Sequence, residues 1–403
     1  MIRQLSLNFL VATALLACGT SDPGTTPPDV FSPADGLAQP NEVKMQLISD
    51  VAENVVLVTL GEFVSEAKKL EEATAVYASS MTDEGRQAAQ AAWRSATSTW
   101  QKAEVMQLGP SGLMGDVLGG EDRRDEIYSW PVTNPCRIDQ ETLEEAYATS
   151  ADLAKEAVNT RGLDAIEYLL FHPDGNGCKV NSAINKDGTW KGLEAEIPQR
   201  QATYAASAAT LVRQEAEALL ARWQPGEGDF AGTLKGAGAG SSVYPSVQEA
   251  LNAITDAMFY IEKTTKDMKV AEPVGFMECD TQTCPEDLES QYAGASKDAV
   301  LANLDGVGLL LHGGADSQTA TGFDDLLILY GAIDLAADLD AKLVAARAAV
   351  QAVPGTFREA LSANLQEMEA AYEGLKGFTD LFKTQFLSVL DLEIPSRAAS
   401  DSD

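Results

Sequence analysis

The stretch Gly162-Leu163-Asp164-Ala165-Ile166-Glu167-Tyr168-Leu169-Leu170-Phe171 decides how this chain is read: it is apolar around most of a helical circumference, yet it carries two carboxylates. At about 100° per residue, Leu163, Ile166, Leu169 and Leu170 form one broad apolar arc. Asp164 and Glu167, three residues apart, project on the other side between Tyr168 and Phe171. So apolar a helix belongs in an interior, where an ionised carboxylate is costly unless it is paired, hydrogen-bonded or bound to a cation. Either a basic side chain from another helix or a bound ligand must satisfy Asp164 and Glu167.

Outward from this helix, apolar residues recur at helical spacing from Glu42 onward, and alternating Val/Ile/Thr/Tyr runs are nearly absent, so the fold is read as all-α. Helices are expected over about 42–79, 83–108, 140–158, 160–171 and 198–223, then over about 246–269, 286–292, 296–311, 322–350, 355–374 and 376–390. Between the halves, the Gly/Pro-rich stretch from Gln224 to Ser242 breaks every helical pattern. The expected organisation is therefore a first helical domain at 42–224, a linker at 225–243, a second at 244–392 and a tail at 393–403. A long loop from Gly109 to Asp139 interrupts the first half, and loops of that length in compact domains are usually functional. One echo links the halves: Gly322-Phe323-Asp324 opens an apolar helix as Gly162-Leu163-Asp164 does, but Leu327 stands where Glu167 would fall.

Residues 1–17 have the layout of a secretory signal, with Arg3 near the start and an apolar run from Leu5 to Leu16 too short to span a membrane. Leu15-Leu16-Ala17-Cys18 resembles a bacterial lipobox, which makes Cys18 the expected lipidation site and 18–41 a Pro/Thr/Asp/Ser/Gly-rich tether. The expected place is the cell envelope of a bacterium, at the periplasm or outer-membrane surface. With 61 Asp+Glu against 29 Lys+Arg, the chain is a poor partner for nucleic acid. Four further cysteines in an exported chain point to two disulfides, for which three pairings exist. Locality favours Cys279 with Cys284, in a short polar loop, and Cys136 with Cys178, on either side of the Gly162 helix.

Trp93, Thr97, Trp100 and Glu104 share one stripe of the second helix. Glu104 lies near that helix's C-terminus, the negative end of its dipole, so a buried Glu104 needs a cation. No nucleophile elbow, phosphate loop or His-Glu-x-x-His motif is present. His172 and His312 each end a helical pattern and read as helix-end residues. Carboxylate-rich ligation favours hard cations such as iron(III), calcium or manganese over zinc.

The chain resembles the imelysin family of bacterial envelope proteins, sometimes called insulin-cleaving metalloproteinases. Its hallmark Gly-x-His-x-x-Glu is similar to Gly162 through Glu167, with Asp164 in place of the His. The match extends from Trp93 through Trp100 to Glu104 and Gly109-Pro110, then through Ser129-Trp130-Pro131, Glu289-Ser290-Gln291-Tyr292, Asp298, Asn303 and Pro354-Gly355-Thr356-Phe357. The resemblance implies two helical bundles packed as a pseudo-symmetric pair, a metal or ligand site beside the hallmark helix, and a link to iron uptake.

Three functions follow as expectations. The first is an envelope lipoprotein that binds a metal such as iron through Glu104, Asp164 and Glu167 and serves a metal uptake system. The second is a metallopeptidase with a carboxylate-bound cation and Glu167 as general base. The third is a structural or polymer-binding lipoprotein in which the acids pair with Arg161 or Arg137 and no metal binds.

Overall fold

In a computed structural model of the chain, residues 39–172, 175–226, 228–277 and 279–395 are described. The signal, Cys18 and nearly all of the tether lie outside the described residues. Helix α1 (Pro40–Asp50) runs through a π-helical turn, Val51–Val56, into α2 (Leu57–Ser80). Met81 in the left-handed region (φ 52°) ends α2, and the Thr82 hydroxyl accepts from Gly85 N at 3.1 Å to start α3 (Asp83–Glu104). Asp83 and Glu84 in its first turn complement the positive end of the dipole. Then come α4 (Leu163–Phe171), α5 (Ile197–Trp223) and α6 (Val247–Met258). Past an eleven-residue π-helix, Ile261–Ala271, follow α7 (Ser296–His312), α8 (Phe323–Leu329), α9 (Ile333–Ala352) and α10 (Leu365–Leu381).

The all-α reading holds; among the described residues there is no strand, only an isolated bridge between Met114 and Val117. Helices α2, α3 and α5 pack together, with α4 laid across α3 and α5. In the second half α9 pairs with α10, and α7 lies against both α3 and α9. Large side chains fill the contacts: Phe63 meets Trp100 at 5.0 Å between ring centroids, Trp93 meets Phe171 at 5.1 Å, and Phe382 stacks on Phe386 at 4.8 Å. From Pro40 onward the chain clusters as one compact unit. No helix among the described residues is long and apolar enough to cross a membrane.

Several boundaries differ from expectation. The helix expected over 286–292 is a single 3-10 turn, Pro285–Asp287, followed by an extended Leu288 and a left-handed Ser290 (φ 49°). Here the backbone N–H groups of Tyr292 and Ala293 go to a side chain instead, as described below. The span 322–350 breaks at Gly331 (φ 81°) into α8 and α9, and 140–158 is interrupted after Glu144 by a left-handed Glu145. The Gly-rich segment after α5 holds a short helix, Phe230–Lys235, whose Phe230 packs on Trp223 at 5.1 Å. Both disulfides form as locality favours, Cys136–Cys178 and Cys279–Cys284.

Candidate functional site

Helix α4 starts at Gly162, whose φ of 90° lies in the region that favours glycine. A Cβ there would stand 2.7 Å from the Ile127 carbonyl oxygen, so glycine also lets the 127–133 loop close on the first turn of α4. That approach supplies Asp164 with its partners: Ser129 N donates at 3.3 Å, Ser129 Oγ at 2.7 Å, and the Thr133 hydroxyl also donates. One turn on, Glu167 Oε1 accepts from the backbone N–H groups of Tyr292 at 2.9 Å and Ala293 at 2.8 Å. The irregular 288–295 segment is thus tied to α4 by a carboxylate, and the site is assembled from both halves of the sequence.

Asp164 and Glu167 are both buried, and among the described residues neither makes an ion pair. Burial pushes the Asp164 carboxyl up against its three hydrogen bonds. Burial also drives Glu167 to about 8; the two N–H donors oppose it, and the Asp164 and Glu289 charges reinforce it. Glu167 therefore keeps its proton at neutral pH unless a cation displaces it. The two acids line a cavity of about 240 Å³ with Tyr128, Thr133, Glu286 and Asp287 among its walls. Asp287 is itself pushed up by burial and by Glu286.

Glu104 does not line this cavity. It ends α3 in a separate buried cluster, where Arg124 Nη2 lies 2.7 Å from Oε1 and Lys269 Nζ 3.5 Å from Oε2. The cation that a buried Glu104 needs comes from the protein. Burial raises Glu104, but Lys269 and Arg124 outweigh it and hold the carboxyl below the ordinary range. Lys269, fully buried on the π-helix, also meets Glu289 at 3.0 Å, Gln101 Oε1 at 2.6 Å and Asn303 Oδ1 at 3.0 Å. Burial pushes Glu289 up more than Lys269 lowers it. Tyr128 joins the two clusters: its hydroxyl donates to Glu289 at 2.8 Å while its ring lines the Asp164–Glu167 cavity.

The alternative in which Arg161 or Arg137 neutralises the α4 acids is corrected by their positions. Arg161 Nη2 pairs with Glu126 at 2.7 Å, and Arg137 pairs with Glu141, Glu144 and Glu156. His172 follows α4, its backbone N–H closing the helix onto Tyr168 O, and its ring packs on Tyr168 and Tyr292. His312 ends α7 and lies 3.0 Å from Asp324 and 3.1 Å from Asp340.

Sequence reading missed Lys269, Arg124, Ser129 and Thr133 as site residues. The loop length from Gly109 to Asp139 was a usable signal for the last three, since that loop carries them. Lys269 gave none: Ile261–Ala271 looks like a solvated polar helix, and the π-helical register, with its i→i+5 bonding, places Lys266 and Lys269 inside.

A sequence profile described as Imelysin matches residues 56–385. The chain belongs to the imelysin family. It is 25% identical over 258 residues to iron-regulated protein A of Synechococcus elongatus, covering 62% of this chain and 62% of that protein's length. Among solved structures, it resembles an iron-regulated protein A precursor assignment from Parabacteroides distasonis ATCC 8503 (TM-score 0.67, 17% identity, 88% of this chain and 96% of that one). It also resembles an imelysin-like protein from Psychrobacter arcticum 273-4 (TM-score 0.66, 16% identity, 87% and 96%). At those identities the likeness establishes the imelysin fold alone.

For a cation, the cavity of this imelysin-family chain offers carboxylate and hydroxyl oxygens, a donor set that suits hard ions. Among the described residues no three His, Cys, Asp or Glu side chains form a ready cage. A cation held by Asp164 and Glu167 would therefore keep part of its water shell.

Proposed function

We propose that this protein is a bacterial cell-envelope lipoprotein, anchored through Cys18, that binds iron or a similar hard cation at Asp164 and Glu167 and hands it to an uptake system. The observation that carries the reading is the contrast in compensation: Glu104 and Glu289 have basic partners, whereas among the described residues Asp164 and Glu167 face a cavity with hydroxyl and amide donors only. The iron-regulated name of the Synechococcus relative supports iron as the first cation to test. Ligation displaces the Glu167 proton, so affinity should rise with pH up to about 8.

The test is thermal unfolding with iron(III), calcium, manganese and zinc. A bound cation at 100 times its dissociation constant adds about 2.7 kcal/mol to stability. Iron(III), calcium or manganese should exceed zinc, and Glu167→Gln should remove most of the shift while leaving the helical circular dichroism intact. A melting temperature indifferent to every cation in wild type and variant rejects the metal reading. For the anchor, Cys18→Ser should release the protein from the membrane fraction; unchanged partitioning with normal processing rejects it. The metallopeptidase alternative gains from one feature, a Glu167 that titrates near 8 and so suits proton transfer. Chelator-sensitive peptide hydrolysis that disappears in Glu167→Gln would establish it.

A further inference from the structure

The long loop after α3 carries an apolar tip that the Asp164–Glu167 cavity does not use. Its Leu113, Met114 and Leu118 are 41%, 68% and 49% exposed. Hydrogen bonds within the loop fix the tip: Val117 N donates to Leu113 O at 3.0 Å, while Glu121 N and Asp122 N both donate to Gly112 O, at 3.1 and 3.0 Å. A tip already held in shape loses little freedom when it is covered. Two further exposed apolar residues flank it. On one side Leu113 lines a cavity of about 290 Å³ together with Pro131 and Val132, the latter 59% exposed. On the other, Val117 and Leu118 share a groove of about 420 Å³ with Ile394, 57% exposed. Exposed apolar side chains scattered singly need no explanation, but a contiguous group of them marks contact with another molecule.

Charge decides which molecule. Asp116 stands on the tip between Met114 and Leu118, exposed and without an ion pair among the described residues. Glu249 and Glu393 join it on the groove wall, where no described residue is Lys, Arg or His. A second copy docked about a two-fold axis would bring acid against acid, and lipid over the tip would bury Asp116 without a counter-charge. A partner with lysine or arginine beside its own apolar residues meets both demands.

We propose that the 112–122 tip and the adjoining groove dock a partner protein through a basic amphipathic segment. Its apolar face covers Met114 and Leu118, and its lysine or arginine meets Asp116. Trp130 and Pro131 line both the cavity beside Leu113 and the Asp164–Glu167 cavity. A docked partner therefore abuts the wall of the cation cavity, which is where an acceptor in an uptake system belongs. That last role rests on the cation reading; the docking itself does not, and its test is run in chelator.

The probe is a helical leucine/lysine peptide with one apolar face, added to the full chain and followed by fluorescence anisotropy and hydrogen exchange. A leucine/glutamate counterpart and a lysine-only peptide of equal length are the controls. The first should bind with a Kd of about 10 μM or tighter and protect the 112–122 amides, the second should not bind, and the third should bind about tenfold more weakly or less. Met114→Gln combined with Leu118→Gln, and separately Asp116→Lys, should each weaken binding about tenfold or more without lowering the melting temperature, since these side chains are exposed. Val344→Gln, at an equally exposed apolar position on α9, should leave binding unchanged. No binding of the leucine/lysine peptide, equal affinity for the lysine-only peptide, or wild-type affinity in both tip variants overturns the proposal. So does protection of the same amides by phosphatidylcholine vesicles, or by concentrating the protein alone, because the tip then belongs to a membrane or to a second copy.

Discussion

Two pairs of buried carboxylates stand on either side of Tyr128. Glu104 and Glu289 share Lys269, with Arg124 against Glu104, and Gln101 adds an amide donor to Glu289 at 2.9 Å. Asp164 and Glu167 receive hydroxyl and backbone donors and no cation among the described residues. The first pair is neutralised by the fold itself and so serves as a rivet: α3, the 109–139 loop, the π-helix and the segment before α7 all meet there. The second pair is held in place without being neutralised, which leaves its charge to be settled by a proton or by a ligand. Burial alone does not distinguish a structural acid from a functional one; the sign of its partners does.

The largest break in this comparison should come from Lys269→Met. It leaves Glu104 and Glu289 buried without their shared cation, and removal of one partner from such a cluster costs about 3–5 kcal/mol. Urea unfolding should show that loss. Adding Glu289→Gln to Lys269→Met should recover part of it, since one uncompensated charge is then gone.

Next in size is the pH response of the second pair. The folded state holds the Glu167 proton more tightly than the unfolded chain, so stability should fall as pH rises from the ordinary carboxylate range to about 8 and level off above it. Glu167→Gln should flatten that slope. A wild-type curve that climbs over the same interval would show Glu167 to be compensated after all. Ser129→Ala tests the donors at Asp164 and should cost about 1.5–3 kcal/mol, as expected for a hydrogen bond to a charged group.

The smallest effect belongs to a third setting, where the sequence echo sits. Gly322 opens α8 as Gly162 opens α4; a Cβ there would stand 2.4 Å from the Leu311 carbonyl oxygen. Its Asp324 meets His312; the Asp324 hydrogen bond, outweighing burial, which acts to lower it, holds the imidazole above its ordinary range. This contribution is complete below the ordinary imidazole pKa and is lost as pH rises through the raised folded value. His312→Gln should remove it, changing stability by about 1 kcal/mol or less because Asp324 and Asp340 are partly solvated. NMR titration of the imidazole gives the direct check: an unshifted His312 would remove the third setting from the series.

Much of this was legible in the residues. The apolar arc of α4 announced a buried helix, and a buried helix made its two acids conspicuous. Glu104 at the end of α3 asked for a cation on dipole and burial grounds alone, and it has two. The chain did not disclose that those cations are Arg124 and Lys269, because they are 20 and 165 residues away and sit in segments that look solvated. Nor did it separate Glu104 from the α4 acids, since three carboxylates on two neighbouring helices converge or diverge according to how the helices cross. The break at 288–295 was illegible for a related reason: its backbone donors go to Glu167, more than 120 residues earlier.

By itself the sequence determined the local matters: helical class from periodicity, the apolar arc that marks α4 as buried, and, by locality, the pairing of the four cysteines beyond Cys18. These follow from interactions within a few residues or across one loop, where pattern and spacing leave few alternatives. Only the tertiary structure decided which carboxylates are neutralised and which are left facing a cavity. That choice depends on side chains brought together from distant segments, one of them turned inward by a π-helical register, and on a dielectric that exists only after packing has expelled water.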